Sequence, residues 1–110
     1  RQIASQRMIQ NAKDATAIIT NPTHISIAIR YDREKDSAPV VIAKGADVLA
    51  MKIREIAKEN DIPMIENVPL ARMLYRKVEV DQEVPAEMYQ AIAEVLVAVY
   101  KIKNRYKKNK

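Results

Sequence analysis

The sequence predicts an α/β fold: a mixed sheet of about four strands packed by about three helices, with an N-terminal connector helix. Three observations carry that prediction. Residues 25–31 alternate strictly between apolar and polar, the period of a half-buried strand. Residues 39–43 form an uninterrupted apolar run, which fits a central strand covered on both faces. Apolar side chains then recur at three- and four-residue spacing from Val48 to Ala57 and again from Met88 to Val99, the pattern of amphipathic helices.

Residues 1–14 are mostly polar good helix formers with a weak apolar stripe from Ile3, Met8 and Ile9. Such a helix is marginal alone and needs contacts elsewhere to hold its shape, so it reads as a connector to the domain of residues 15–110. Residues 15–20 and 25–31 read as two strands joined by a short turn, and 32–37 as a charged, solvated loop. Gly45 then opens a helix to about residue 60, whose buried stripe is Val48, Leu49, Ile53, Ile56 and Ala57. Residues 61–63 end it, and 64–66 form a short strand. Strand, helix and strand in this order make a right-handed crossover between parallel strands. Pro69 suits the first turn of a short helix through Tyr75, where no N–H is needed. A last long helix starts near Pro85 and buries Met88, Ile92, Val95, Leu96 and Val99.

With 110 residues the chain is large enough for one core without covalent staples. It has no cysteine, which excludes disulfides, thiolate metal sites and cysteine nucleophiles. No run approaches the roughly 20 apolar residues of a membrane helix, and none of these residues is expected to act as a signal peptide. No cofactor-binding or metal-binding pattern is present. The chain begins with Arg1 rather than Met, so we expect a fragment or a processed product, which leaves room for a membrane region before it. The net charge of +5 gathers in the tail, at Lys101, Lys103, Arg105, Lys107, Lys108 and Lys110. Such a tail is a solvated helix end, where cations favour the negative pole of the helix dipole, or a surface for nucleic acid or anionic lipid. The scarcity of aromatics denies it a stacking platform, so no nucleic acid is expected. Gly45 is the only glycine, which leaves Asn, Asp and Pro to build the turns.

Chemistry concentrates at Asn21, Pro22, Thr23 and His24, between the first two strands. An asparagine side chain is ordinarily attacked by the following backbone N–H, but proline has none. The reverse reaction remains open: the Asn21 side-chain nitrogen attacks the Asn21 backbone carbonyl carbon, closes a succinimide and expels the Pro22 nitrogen. The attack is intramolecular, so geometry replaces the entropy of bringing reactants together. Asn21 is the nucleophile and Pro22 shapes the scissile bond. Thr23 and His24, the one histidine of the chain, either assist proton transfer or only hold the turn. An Asn-Pro turn between strands is also simply a common turn, and the residues alone leave both readings open.

Asn21-Pro22-Thr23-His24 followed by the alternating strand resembles the cleavage motif of the export-switch family of type III secretion, the FlhB, YscU and SpaS group. The resemblance continues through Ala38-Pro39, Ala43-Lys44-Gly45, residues 53–57, 60–63 and 69–72, Leu74-Tyr75 and 93–96, which is nearly the whole chain. Ala43-Lys44-Gly45, the approach to Pro69 and the start of the last helix are more similar to the flagellar branch than to the injectisome branch. The resemblance implies a cytoplasmic domain of an inner-membrane protein that cuts itself between Asn21 and Pro22, once and without turnover, its pieces staying together. It further implies a part in switching export from rod and hook to filament substrates. The implied partners are export substrates, other export-apparatus proteins and the hook-length control protein, at the cytoplasmic face of the bacterial inner membrane.

Other residues carry weaker signals. Pro69, Leu70, Ala71 and Arg72 form a candidate partner contact, with Arg72 equally readable as the polar face of a helix. Tyr31, Tyr75 and Tyr89 mark either a partner surface or core edges. Met51, Met64, Met73 and Met88 read as core or flank filler. A triad of Ser26 or Ser37 with His24 has no spacing to support it.

Overall fold

The computed structural model describes residues 2–108. The elements run α1 (Gln2–Gln10), β1 (Ala17–Asn21), β2 (Ile25–Arg30), β3 (Val40–Ala46), α2 (Val48–Glu59), β4 (Met64–Glu66), α3 (Val68–Lys77) and α4 (Tyr89–Lys108). Single 3-10 turns follow α1 and precede α4. The strands form one mixed sheet in the order β3-β2-β1-β4, antiparallel except for the parallel pair of β1 with β4. Four strands, a docked N-terminal helix and three further helices agree with the expected fold class. The side chains of Ile3, Lys107, Lys108 and Lys110 lie outside the described residues. No helix among the described residues is long and apolar enough to cross a membrane.

The sheet is covered on both faces. On one side Ile18, Ala28, Val40, Ile42 and Ala43 pack with Ile53 and Ala57 of α2 and with Ile9 and Ala12. On the other, Ala17, Ile19, Ile27, Ile29 and Val41 pack with Leu70, Ala71 and Leu74 of α3 and with the α4 stripe of Ile92, Val95, Leu96 and Val99. Burial of this apolar surface is the main force holding the layers together. The N-terminal segment obtains its outside contacts here, because Ile9 and Ala12 are buried against α2.

Three local expectations change. β3 is not central but terminal in the sheet order. Its free edge is nevertheless occupied: the Val41 N–H donates to the Gln82 carbonyl at 3.1 Å, the Asp81 N–H to the Val41 carbonyl at 2.7 Å, and the Val84 N–H to the Pro39 carbonyl at 2.8 Å. A strand whose faces and edge are all covered has the same uniformly apolar sequence as a central one. Next, Gly45 does not open α2; it lies in β3, which continues to Ala46. Val48 is then 61% exposed and Ala50 is buried in its stead, while Ile53 and Ala57 are buried and Leu49 and Ile56 half-buried against the same core, as expected. Finally, the charged loop is not merely solvated. The Asp36 carboxylate accepts from Arg30 Nε at 3.0 Å, from the second Arg30 nitrogen at 2.9 Å and from the Asp32 N–H at 2.9 Å.

The one glycine lies in β3, and aspartate, one of the expected turn residues, supplies three of the four positive-φ positions. Positive φ falls on Thr23 (65°), Asp47 (52°), Asp61 (55°) and Asp81 (72°). Aspartate is among the commoner non-glycine residues at positive φ, although Asp47, at ψ −110° and with no side-chain cap bond, holds a costly backbone; a β-branched threonine is more strained still. Thr23 therefore stands apart.

Candidate functional site

β1 ends at Asn21 and β2 begins at Ile25, and the two residues face one another across the antiparallel pair. Pro22, Thr23 and His24 fill the turn and are exposed. The His24 N–H donates to the Asn21 carbonyl at 3.0 Å, closing a four-residue turn. Proline at its second position and a positive φ at its third are the signature of a type II turn, whose third position favours glycine. Here that position is Thr23, so the turn stores strain on the order of 1–2 kcal/mol beside the Asn21–Pro22 bond.

The same hydrogen bond bears on reactivity. The carbonyl it engages is the one that the Asn21 side chain would attack, and a fixed N–H donor stabilises negative charge developing on its oxygen. Asn21 itself is 8% exposed and anchored as the last ladder residue. One residue earlier, the Thr20 carbonyl accepts the Asn67 N–H at 3.0 Å. Asn67 caps α3, its side chain accepting the Leu70 N–H at 3.2 Å. Asn21 thus sits on a strand end held on both sides while the turn after it is open to water.

Strand alternation places Asn21 on the face shared by Ala17 and Ile19, the α3 side of the sheet. Its partner Ile25 lines a shallow groove of about 400 Å3 with Arg72, Tyr75 and Arg76 of α3. Of the four candidate contact residues on α3, Leu70 and Ala71 are core side chains, while Pro69 and Arg72 are exposed. Tyr31 and Tyr89 flank a second groove of about 200 Å3 with Pro39, Ile92 and Leu96. Met88 is buried and Met73 half-buried, whereas Met51 and Met64 are 45% and 36% exposed.

His24 has a neighbour that sequence reading missed. Asp47 Oδ1 lies 3.7 Å from His24 Nδ1, and the Asp47 N–H donates to the His24 carbonyl at 2.8 Å. The β2–β3 register, with Ile25 opposite Ala46, brings them together. No spacing in the chain announces such a pair; only the strand pairing does. Ser26 does not join it. Its buried hydroxyl donates to the Ala50 carbonyl at 3.0 Å, which commits it to fixing α2.

Fold and turn together define a three-layer α/β domain built around a strained Asn-Pro hairpin. The model of the FlhB HrpN YscU SpaS family matches residues 1–99. The flagellar biosynthetic protein FlhB of Bacillus subtilis (strain 168) is 55% identical over 105 residues, covering 96% of this chain and 29% of that protein. The crystal structure of the cytoplasmic domain of FlhB from Shewanella putrefaciens superposes with a TM-score of 0.91 at 38% identity, over 94% of this chain and 80% of that one. A mutated EscU C-terminal domain superposes with a TM-score of 0.80 at 34% identity, over 84% of this chain and 92% of that one. The chain belongs to the FlhB HrpN YscU SpaS family. It spans less than a third of the length of that Bacillus relative.

Proposed function

We propose that this domain cuts its own chain once, between Asn21 and Pro22, and thereafter works by binding within a flagellar type III export apparatus. In the reaction, the Nδ2–C bond of Asn21 forms, the C–N bond to Pro22 breaks, and a proton leaves the side-chain amide while the Pro22 nitrogen gains one. Water then opens the succinimide to leave a carboxylate. His24 and Thr23 are the groups within the turn able to carry the proton. A half-time on the order of an hour corresponds to a barrier of about 22 kcal/mol, which suits a site that acts once.

The observation that carries this reading is the turn itself: an Asn21 carbonyl held by the His24 N–H beside a threonine at φ 65°. Scission leaves the fold in place, because β1 keeps its ladder to β2 and β4 and its buried Ile18 and Ile19. What changes is the surface. A carboxylate appears at Asn21, whose strand partner Ile25 lines the groove with Arg72 and Arg76, and an amine appears at Pro22, charged at neutral pH given a reference value of about 8. The switch from rod and hook to filament substrates, triggered through the hook-length control protein, would read this altered and more mobile patch. Likeness to FlhB relatives supports the flagellar assignment and a place on the cytoplasmic side of the inner membrane.

A denaturing gel beside native gel filtration tests the cleavage. The chain should separate into two pieces when denatured, elute as one particle when native, and give a single band as Asn21→Ala. Intact and nicked forms that bound export partners equally well would remove the proposed role of the nick.

A further inference from the structure

Asp47 occupies the N-cap position of α2, where a carboxylate ordinarily accepts an N–H of the first turn. It makes no such bond. Its backbone is held at φ 52° and ψ −110°, its N–H is bound to the His24 carbonyl at 2.8 Å, and its carboxylate faces the imidazole, Oδ1 to Nδ1, at 3.7 Å. A residue that forgoes its cap, adopts a costly backbone and points its charge at the lone histidine is placed for that histidine.

Resting on the self-cleavage reading, we propose that Asp47 is a positioning residue for the Asn21–Pro22 reaction. Its carboxylate favours the imidazole form that carries its proton on Nδ1, because that N–H faces a negative oxygen. Nε2 is then left as an acceptor turned away from Asp47. Through the solvent of the open turn it takes the proton lost by Asn21 Nδ2 and returns it to the Pro22 nitrogen as the C–N bond breaks. No proton is gained or lost overall, and Asp47 itself exchanges none.

Both side chains are exposed, at 70% for His24 and 80% for Asp47, so the contribution is that of a surface pair. A pair of this kind changes a rate by up to about fivefold. Asp47→Asn is the informative variant, since asparagine keeps the shape and tolerates positive φ while losing the charge.

The experiment has two readouts. In the first, cleavage is timed for the wild-type chain, Asp47→Asn, His24→Gln and the double variant. Asp47→Asn should slow cleavage two- to fivefold (roughly the range of an exposed pair), and the effect should vanish when His24 is already glutamine. A merely structural aspartate would slow both backgrounds alike, which would overturn the proposal. In the second, the imidazole 15N shifts are read in the uncleavable Asn21→Ala chain, where the single histidine makes assignment immediate. The Nδ1–H form should dominate with Asp47 and decline with Asp47→Asn; unchanged shifts would overturn the proposal. A wild-type chain that stays whole removes the cleavage reading and this one together. A wild-type chain that is cut, with Asp47→Asn cut at the same rate, removes only this one.

Discussion

Gly45 and Leu49 touch so closely that a Cβ built on Gly45 would lie 2.6 Å from the Leu49 Cβ. The conflict is with an atom fixed to the backbone, so no rotamer change relieves it. The one glycine of the chain is thus required for close approach of β3 to α2, not for a left-handed turn, since its φ is not positive. Gly45→Ala should destabilise the domain by about 1–3 kcal/mol, the usual cost of overpacking. Thermal or urea unfolding in the Asn21→Ala background measures it, and an unchanged midpoint would show that α2 moves away freely.

Thr23 tests whether turn strain drives the reaction. Thr23→Gly removes the penalty of a β-branched residue at φ 65°, on the order of 1 kcal/mol. If that strain raises the ground state of the scissile bond, cleavage should slow about fivefold. Gel densitometry over time gives the rate. A rate equal to wild type would assign Thr23 no part in activation.

Asp36 gives a pH-dependent signature. Its hydrogen bonds from the Arg30 guanidinium hold its carboxyl below the ordinary carboxylate range, against the opposing effect of burial. A carboxyl depressed in the folded state contributes stability above its unfolded value, near 4, and that contribution is lost as pH falls through the folded value. Asp36→Asn should therefore lower the melting temperature at pH 7, by the equivalent of about 1–2 kcal/mol. The gap to wild type should close as the pH drops below about 4. The Arg30 guanidinium, raised by the same bonds, has no effect in this window.

Lys44 ties β3 to the far end of α3. Its Nζ donates to the Tyr75 carbonyl at 2.9 Å and the Val78 carbonyl at 3.0 Å, and sits 5.3 Å from the Tyr75 ring centre. Lys44→Met keeps the aliphatic stem and leaves those carbonyls without the ammonium. A loss of about 1–3 kcal/mol follows from charge-assisted bonds of this kind. Faster amide exchange at the end of α3, with β1 and β2 unchanged, is the expected local readout.

Much of this architecture can be read from side-chain periodicity. β1, β2, α4 and the turn at Asn21 fall where alternation and helical spacing put them, but β2 is buried on both faces rather than half-buried: the small side chains Ser26 and Ala28 lie under the α2 side, so its alternation is one of size and not of exposure. β3 was legible as a covered strand but not as a terminal one, since residues 79–84 hide its edge and erase the polar residues an open edge would show. The start of α2 was misplaced because a glycine before an amphipathic run looks like a helix opening, while Gly45 is small for Leu49 instead. Within the candidate site, Asn21 to His24 stand out as a contiguous motif. Asp47 does not, because only the pairing of Ile25 with Ala46 sets it beside His24. Nor does any pattern show Thr23 holding a glycine's backbone angle.

Intact-mass spectrometry of the purified chain, after incubation in mild buffer, reads the central event most directly. Wild type should give two masses, residues 1–21 and residues 22–110, and Asn21→Ala a single full-length mass. One full-length mass from both proteins would contradict self-cleavage.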